Sequence, residues 1–265
     1  MRKVLISNPE EVKLVEYEDQ NPNGTEVKLD VKYCGICGSD VHAFFGKHPF
    51  IETPITPGHE IGAKIMDIDS KVEGLEIGQK VTFIPQKVDN KCYNCKIGRY
   101  NICENLQVYG AQIDGAMAET FNAPANLVIP LPDNFDLKKA AMIEPLAVAV
   151  HAVKILNKVE DKNGVVLGAG TIGLLIMQVL KTFGVPNIMI TDIRDQKLEL
   201  SEKIGADITL NPNEKELTKN FLKSKFGDRG AGVIFEAVGV EKTIRQAINL
   251  VRKRRKERYN NIKVF

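Results

Sequence analysis

The sequence predicts an α/β protein of two parts, an irregular β domain over residues 1–152 followed by a parallel-sheet domain over residues 153–265. Three observations predict it. The first half strings together short β-type runs separated by Gly, Pro, Asn and Asp. The second half alternates apolar strands with helical segments, as parallel βαβ units do. A glycine turn joins the first strand and first helix of that second half.

In order, VKLVEY (12–17), EVKLDVKY (26–33), IGAKIMDI (61–68), QKVTFIP (79–85) and NLVIPLP (126–132) read as strands of a largely antiparallel domain. The character changes near 136, where DLKKAAMIEPLAVAVHAVKIL is helix-compatible and Pro145 is expected to start or kink a segment. VVLGAGTIGLLIMQVLKTFG (165–184) is a strand, a glycine turn and an apolar helix. IMITDI (188–193) is a strand, DQKLELSEKIG (195–205) a helix closed by glycine, and ADITLNP (206–212) a strand. ELTKNFLKSKF (216–226) is a polar helix and GVIFEAVG (232–239) a further strand.

Composition excludes several functions. With 43% hydrophobic and 26% charged residues the chain has a globular balance, and a net charge of +2 lacks the field of a nucleic-acid binder. No apolar run of eighteen residues occurs, so no membrane span is expected. The N-terminus turns acidic within a few residues and lacks a signal-peptide core, so the expected location is cytoplasmic. Five cysteines, an odd number crowded into the first 103 residues, suit metal binding in a reducing compartment better than a disulfide framework.

Gly168-Ala-Gly170-Thr171-Ile172-Gly173 lies between a strand and a helix, and Asp192 ends the next strand about twenty residues later. That context marks a dinucleotide site of Rossmann type. Gly168 permits the turn, Gly170 lets the backbone approach a pyrophosphate, and Gly173 lets helix and strand pack closely. The phosphates meet the free N–H groups of the helix start. Asp192 would accept hydrogen bonds from ribose hydroxyls and repel a 2′-phosphate, which favours NAD(H) over NADP(H), while Arg194 keeps NADP open. Thr171, Ile172 and Lys197 complete the candidate cofactor set.

Cys92, Cys95 and Cys103 have the spacing of a tetrahedral structural zinc site, and Asp89, three residues before Cys92, is the candidate fourth ligand. Cys34 and Cys37 read as CGIC, but no thioredoxin-like context surrounds them. Cys37 instead opens CGSDVH, and PGHE follows at 57–60. A thiolate and an imidazole so placed can hold a catalytic zinc with an open position. Cys34 is expected to be a small buried residue.

Five strings carry a family resemblance: CGICGSDVH (34–42), PGHEIGAKI (57–65), CYNCKIGRYNIC (92–103), IEPLAVAVHA (143–152) and VLGAGTIGLL (166–175). In this order they resemble the zinc-containing medium-chain dehydrogenase/reductase family, especially its sorbitol, threonine and sugar-acid dehydrogenase branch. The resemblance implies a GroES-like N-terminal domain and a Rossmann domain. It implies that Cys37 and His59 ligate a catalytic zinc, with Glu144 or Glu60 as the third group and Asp40 orienting His59. It makes Ser39 and His42 a proton relay. Glu144 and the DGAMAE string (114–119) fit the polyol branch, so the implied activity is NAD-linked oxidation of a secondary alcohol on a polyol or sugar acid.

The end of the chain departs from that family. Relatives carry a further Rossmann strand introduced by Gly-Gly, a strand for subunit pairing in a homo-oligomer, and a segment returning to the catalytic domain. Here Arg254-Arg255 stand where Gly-Gly would begin, within VRKRRKERYNNIKVF. The reading is a Rossmann domain lacking its last part, with an aberrant basic tail from about 252 to 265 and no pairing strand. A truncated or frame-shifted remnant that binds zinc without dehydrogenase activity is the alternative. A lone basic run lacks a nucleic-acid-binding fold.

Overall fold

The computed structural model describes residues 1–156, 158–160, 162–251 and, as backbone, 262–264. The chain divides into two compact units, Met1–Glu144 and Pro145–Phe265. Both that division and the expected boundary at 152 fall inside the helix Ile143–Lys154.

The first unit opens with an antiparallel hairpin, β1 (Arg2–Asn8) and β2 (Glu11–Glu16). Then come β3 (Glu26–Cys34), α1 (Gly38–Phe44), β4 (Ile61–Ile68), β5 (Lys80–Phe83) and β6 (Gln86–Lys87). The short helix α2 (Tyr93–Lys96) leads to β7 (Gln107–Val108), β8 (Thr120–Pro124) and β9 (Val128–Pro130). The main sheet has the order β8-β3-β4-β5-β9, antiparallel throughout. Val27 and Leu29 of β3 alternate inward, as do Ile61, Ala63 and Ile65 of β4, onto Val81 and Phe83 of β5. Phe83, Tyr109 and Phe121 close this core as an edge-to-face trio with centroids 5.3, 5.4 and 5.9 Å apart.

Helix α3 (Leu137–Ala140) is capped by Asp136, whose side chain accepts the Lys138 N–H at 2.8 Å. Helix α4 (Ile143–Lys154) carries Pro145 in its first turn, where the missing N–H has no intrahelical acceptor to lose. Pro145 therefore starts this helix without kinking it.

The second unit runs β10 (Gly164–Leu167), α5 (Thr171–Thr182), β11 (Ile188–Thr191), α6 (Asp195–Lys203) and β12 (Ile208–Leu210). It continues through α7 (Lys219–Phe226), β13 (Val233–Glu236), α8 (Glu241–Leu250) and β14 (Ile262–Val264). The sheet order is β12-β11-β10-β13-β14, and every pair is parallel. Both faces are covered. Val166, Ile188, Ile190, Val233 and Phe235 pack on one side with α5, while Val165, Leu167, Met189 and Ile234 pack on the other with α7 and α8. Two buried faces explain why these strands read as unbroken apolar runs.

Two segments correct the sequence reading. RKVLISN forms β1, its apolar residues too irregularly spaced to announce a strand. The strand taken to be missing beyond β13 is supplied by Ile262–Val264, which pairs in parallel through Ile234↔Ile262 and Glu236↔Val264. Three residues after a charged run carry no readable period. Residues 252–261 of the expected basic tail, and 265, lie outside the described residues.

Phe235 of β13 is fully buried. Phe235→Ala is expected to lower stability by about 3–5 kcal/mol, read as a lower urea midpoint at unchanged slope. Ile248→Ala, at a half-exposed position of α8, should cost less than about 1 kcal/mol.

Candidate functional site

Cys37 ends the stretch after β3 and is the N-cap of α1, with extended backbone (φ −83°, ψ 159°). Asp40, buried in the first turn, accepts the Cys37 N–H on Oδ2 at 2.8 Å. His59 precedes β4 on a loop pinned by backbone hydrogen bonds: Gly115 N to Thr56 O (2.7 Å), Met117 N to Pro57 O (2.9 Å) and Ala116 N to Gly58 O (2.8 Å). Gly35 N donates to Glu60 O at 2.7 Å and ties the two loops together. The result is a cluster in which ligand atoms of Cys37, His59 and Glu60 all lie within 4.8 Å of one another. Glu144 is outside that group; it lines the same cavity as His59 and acts on its charge.

The electrostatics are those of a cation site. Burial alone would push His59 down, but the Cys37 hydrogen bond, Asp40 and Glu144 raise it to about 9. Burial alone would push the Cys37 thiol up, but hydrogen bonds with His59 and Ser39 bring it below its ordinary value. Burial raises the carboxyls of Asp40, Glu60 and Glu144, with His59 opposing the rise in each. His59 Nδ1 and Asp40 Oδ1 are buried without a hydrogen-bond partner and stand 3.8 Å apart. Asp40 thus faces His59 through a charge contact longer than a hydrogen bond. Sulfur, nitrogen and carboxylate donors converging out of water fit a zinc ion.

Ser39 is half-buried and lines an open cavity of about 1060 Å³ with His59 and Glu144. His42, three residues on along α1, is exposed. Cys34 is half-buried beside the cluster, its thiol pushed up to about 12 by burial, Asp40 and Glu60. It joins neither cysteine cluster, and all five cysteines are free thiols.

The second cluster gathers Asp89, Cys92, Cys95 and Cys103, whose ligand atoms also lie within 4.8 Å of one another. Cys92 Sγ and Cys103 Sγ are 3.9 Å apart, and Cys95 and Cys103 are buried. Asp89 Oδ1 accepts the N–H groups of Lys91 (2.8 Å) and Cys92 (3.0 Å), and Oδ2 accepts Asn105 Nδ2 at 2.7 Å. Those bonds hold its carboxyl well below the usual range. Burial, with Cys92 and Cys103 beside it, pushes the Cys95 thiol up to about 12. Thiols so crowded ionise together only around a cation, which is the fit expected of a structural zinc.

In the second unit, Gly168 turns the chain at φ +96° and donates its N–H to Thr191 O at 2.8 Å. A Cβ on Gly173 would overlap the Gly168 carbonyl oxygen, so α5 reaches β10 only with glycine there. Gly170 caps α5 without a side-chain bond and faces open space, which leaves the helix N–H groups free for a pyrophosphate. Thr171 is exposed and Ile172 half-buried on the first turn. Asp192 Oδ2 accepts the Ala169 N–H at 2.9 Å, Oδ1 accepts the Arg194 N–H at 3.0 Å, and Lys197 Nζ lies 3.7 Å from Oδ2. The carboxylate thus braces the glycine turn, a contact that sequence spacing alone does not reveal.

Sequence reasoning passed over His48 and Gln112, which line the cavity with Ser39 and His59. The available signal was position alone: His48 falls between CGSDVH and PGHE.

Residues 23–133 match the alcohol dehydrogenase GroES-like domain family, and residues 171–256 the zinc-binding dehydrogenase family. The chain is 35% identical to an L-idonate 5-dehydrogenase of Vitis vinifera, over 86% of this chain and 64% of that protein. It is 34% identical to a D-xylulose reductase A of Aspergillus oryzae, over 90% of this chain and 70% of that one. It thus spans about two thirds of the length of these relatives. An Escherichia coli CFT073 alcohol dehydrogenase (rspB), solved in complex with NADH, superposes with a TM-score of 0.87 at 28% identity, covering 100% of this chain and 82% of that one. The chain belongs to the zinc-containing medium-chain dehydrogenase family.

Proposed function

We propose that the chain is built for zinc-dependent, NAD-linked oxidation of a secondary alcohol on a polyol or sugar acid. The reading rests on the convergence of Cys37, His59 and Glu60 beside a cavity that Ser39, His59 and Glu144 line. The names of the relatives, an idonate dehydrogenase and a xylulose reductase, support the substrate class. The gathering of Cys92, Cys95 and Cys103 into one ligand set suits a reducing, cytoplasmic setting. Among the described residues no helix is long and apolar enough to cross a membrane.

Cys37 and His59 would hold the catalytic zinc, with Glu60 or Glu144 as the third group. Bound zinc supplies the Lewis acidity that eases loss of the substrate's hydroxyl proton, and bound NAD supplies the hydride acceptor. Ser39 accepts that proton at the cavity wall and passes it toward His42, one turn along α1 and open to solvent. Asp40 holds the Cys37 backbone and faces His59 Nδ1, so the pair keeps its geometry. Gly168, Gly170, Thr171, Ile172 and Gly173 receive the pyrophosphate, with Lys197 beside Asp192. Asp192 favours NAD by accepting from ribose hydroxyls and repelling a 2′-phosphate. Asp89, Cys92, Cys95 and Cys103 would hold the second, structural zinc.

Metal analysis of the purified chain is expected to give two zinc ions per chain, with Cys37→Ser removing one and Cys103→Ser the other. Retention of both in either variant contradicts the assignment. An NADH-absorbance screen over polyols, aldonates and simple secondary alcohols tests the activity. Zinc bound in full with no substrate-dependent NADH corresponds to a remnant. Asp192→Ser should narrow the preference for NAD over NADP by roughly tenfold or more, measured as the ratio of kcat/KM values. An unchanged ratio removes Asp192 from cofactor selection.

A further inference from the structure

The loop between α1 and β4 forms one wall of the cavity beside His59, and it carries His48. A short chain of hydrogen bonds fixes that loop. Gln112 Oε1 accepts the Val108 N–H at 2.9 Å, and Gln112 Nε2 donates to Phe50 O at 3.0 Å. Phe50 N–H donates in turn to His48 Nδ1 at 3.2 Å, and the two rings meet edge to face at 6.2 Å. An Nδ1 that accepts a hydrogen bond leaves the neutral ring with its proton on Nε2. Burial and the neighbouring His42 hold His48 below its ordinary value. Among the described residues no hydrogen bond engages Nε2.

We propose that His48 is a recognition residue of this cavity, donating its Nε2–H to a second hydroxyl of a neutral polyhydroxy substrate. The charge of the lining selects that acceptor. Glu52 and Glu144 line the cavity, and among the described residues no lysine or arginine does. Away from the zinc, a second carboxylate or phosphate group would meet Glu52 with no lysine or arginine beside it, whereas a hydroxyl oxygen meets a positioned donor. Gln112 is a positioning residue that acts through the Phe50 backbone. The identity of the ligand rests on the alcohol-oxidation reading above.

The test uses the full zinc-loaded chain with xylitol, 2-butanol, which has a single hydroxyl, and D-gluconate. Binding is followed by saturation-transfer NMR and turnover by NADH absorbance. Xylitol should bind more tightly than gluconate. His48→Ala should lower the preference for xylitol over 2-butanol about three- to tenfold, mainly through KM. His48→Gln, whose amide can reach the place of Nε2, should recover part of it, and Gln112→Ala should shift it in the same direction as His48→Ala. An unchanged preference in His48→Ala, tighter binding of gluconate, or no xylitol binding overturns the proposal. If no alcohol yields NADH yet His48→Ala still weakens xylitol binding, the oxidation reading fails and the recognition role stands.

Discussion

The buried carboxylate of Asp40 is the constraint on which the candidate catalytic cluster depends. One oxygen holds the Cys37 backbone at 2.8 Å, and the other faces His59 Nδ1 at 3.8 Å, out of solvent. A carboxylate removed from water costs several kcal/mol unless it is paired, so the fold keeps an imidazole beside it. That contact turns the other His59 nitrogen toward Cys37. Three carboxyls, Asp40, Glu60 and Glu144, surround this one ring, and burial raises each of them. A divalent cation among Cys37, His59 and Glu60 would relieve that crowding.

The same logic governs the other sites with different means. Around Cys92, Cys95 and Cys103, three thiols gather as a candidate ligand set, and backbone N–H groups hold the Asp89 carboxylate beside them. In the second unit, Asp192 braces the glycine turn through Ala169 N–H, and the uncapped start of α5 offers its own N–H groups to an anion. In each case loops hold the donors and rigid strands hold the loops. β3 and β4 support Cys37 and His59; β10 and β11 support Gly168 and Asp192.

Much of this is legible in the residues. VVL, IMI and VIF read as parallel strands because both faces of the sheet are buried, and the short motifs pin their own chemistry by spacing. The helix around Ser39 and His42 does not read out, because seven residues beginning with glycine carry no apolar period. β14 follows a charged run and is three residues long, too short to carry an alternation. The choice between Glu60 and Glu144 is not carried by spacing, and it is the Glu60 carboxylate whose ligand atom gathers with those of Cys37 and His59. His48 escaped because a loop histidine has no periodicity, and its role depends on Phe50 and Gln112, the latter distant in sequence.

The central claim is that Cys37 and His59, with a carboxylate, form a zinc site separate from the cysteine lobe. X-ray absorption at the zinc K-edge tests it most directly, on the chain with Cys92, Cys95 and Cys103 all changed to serine and loaded with one zinc. A single sulfur neighbour at about 2.3 Å is expected, with nitrogen and oxygen at about 2.0–2.2 Å. A zinc shell without sulfur, or with two or more, contradicts it.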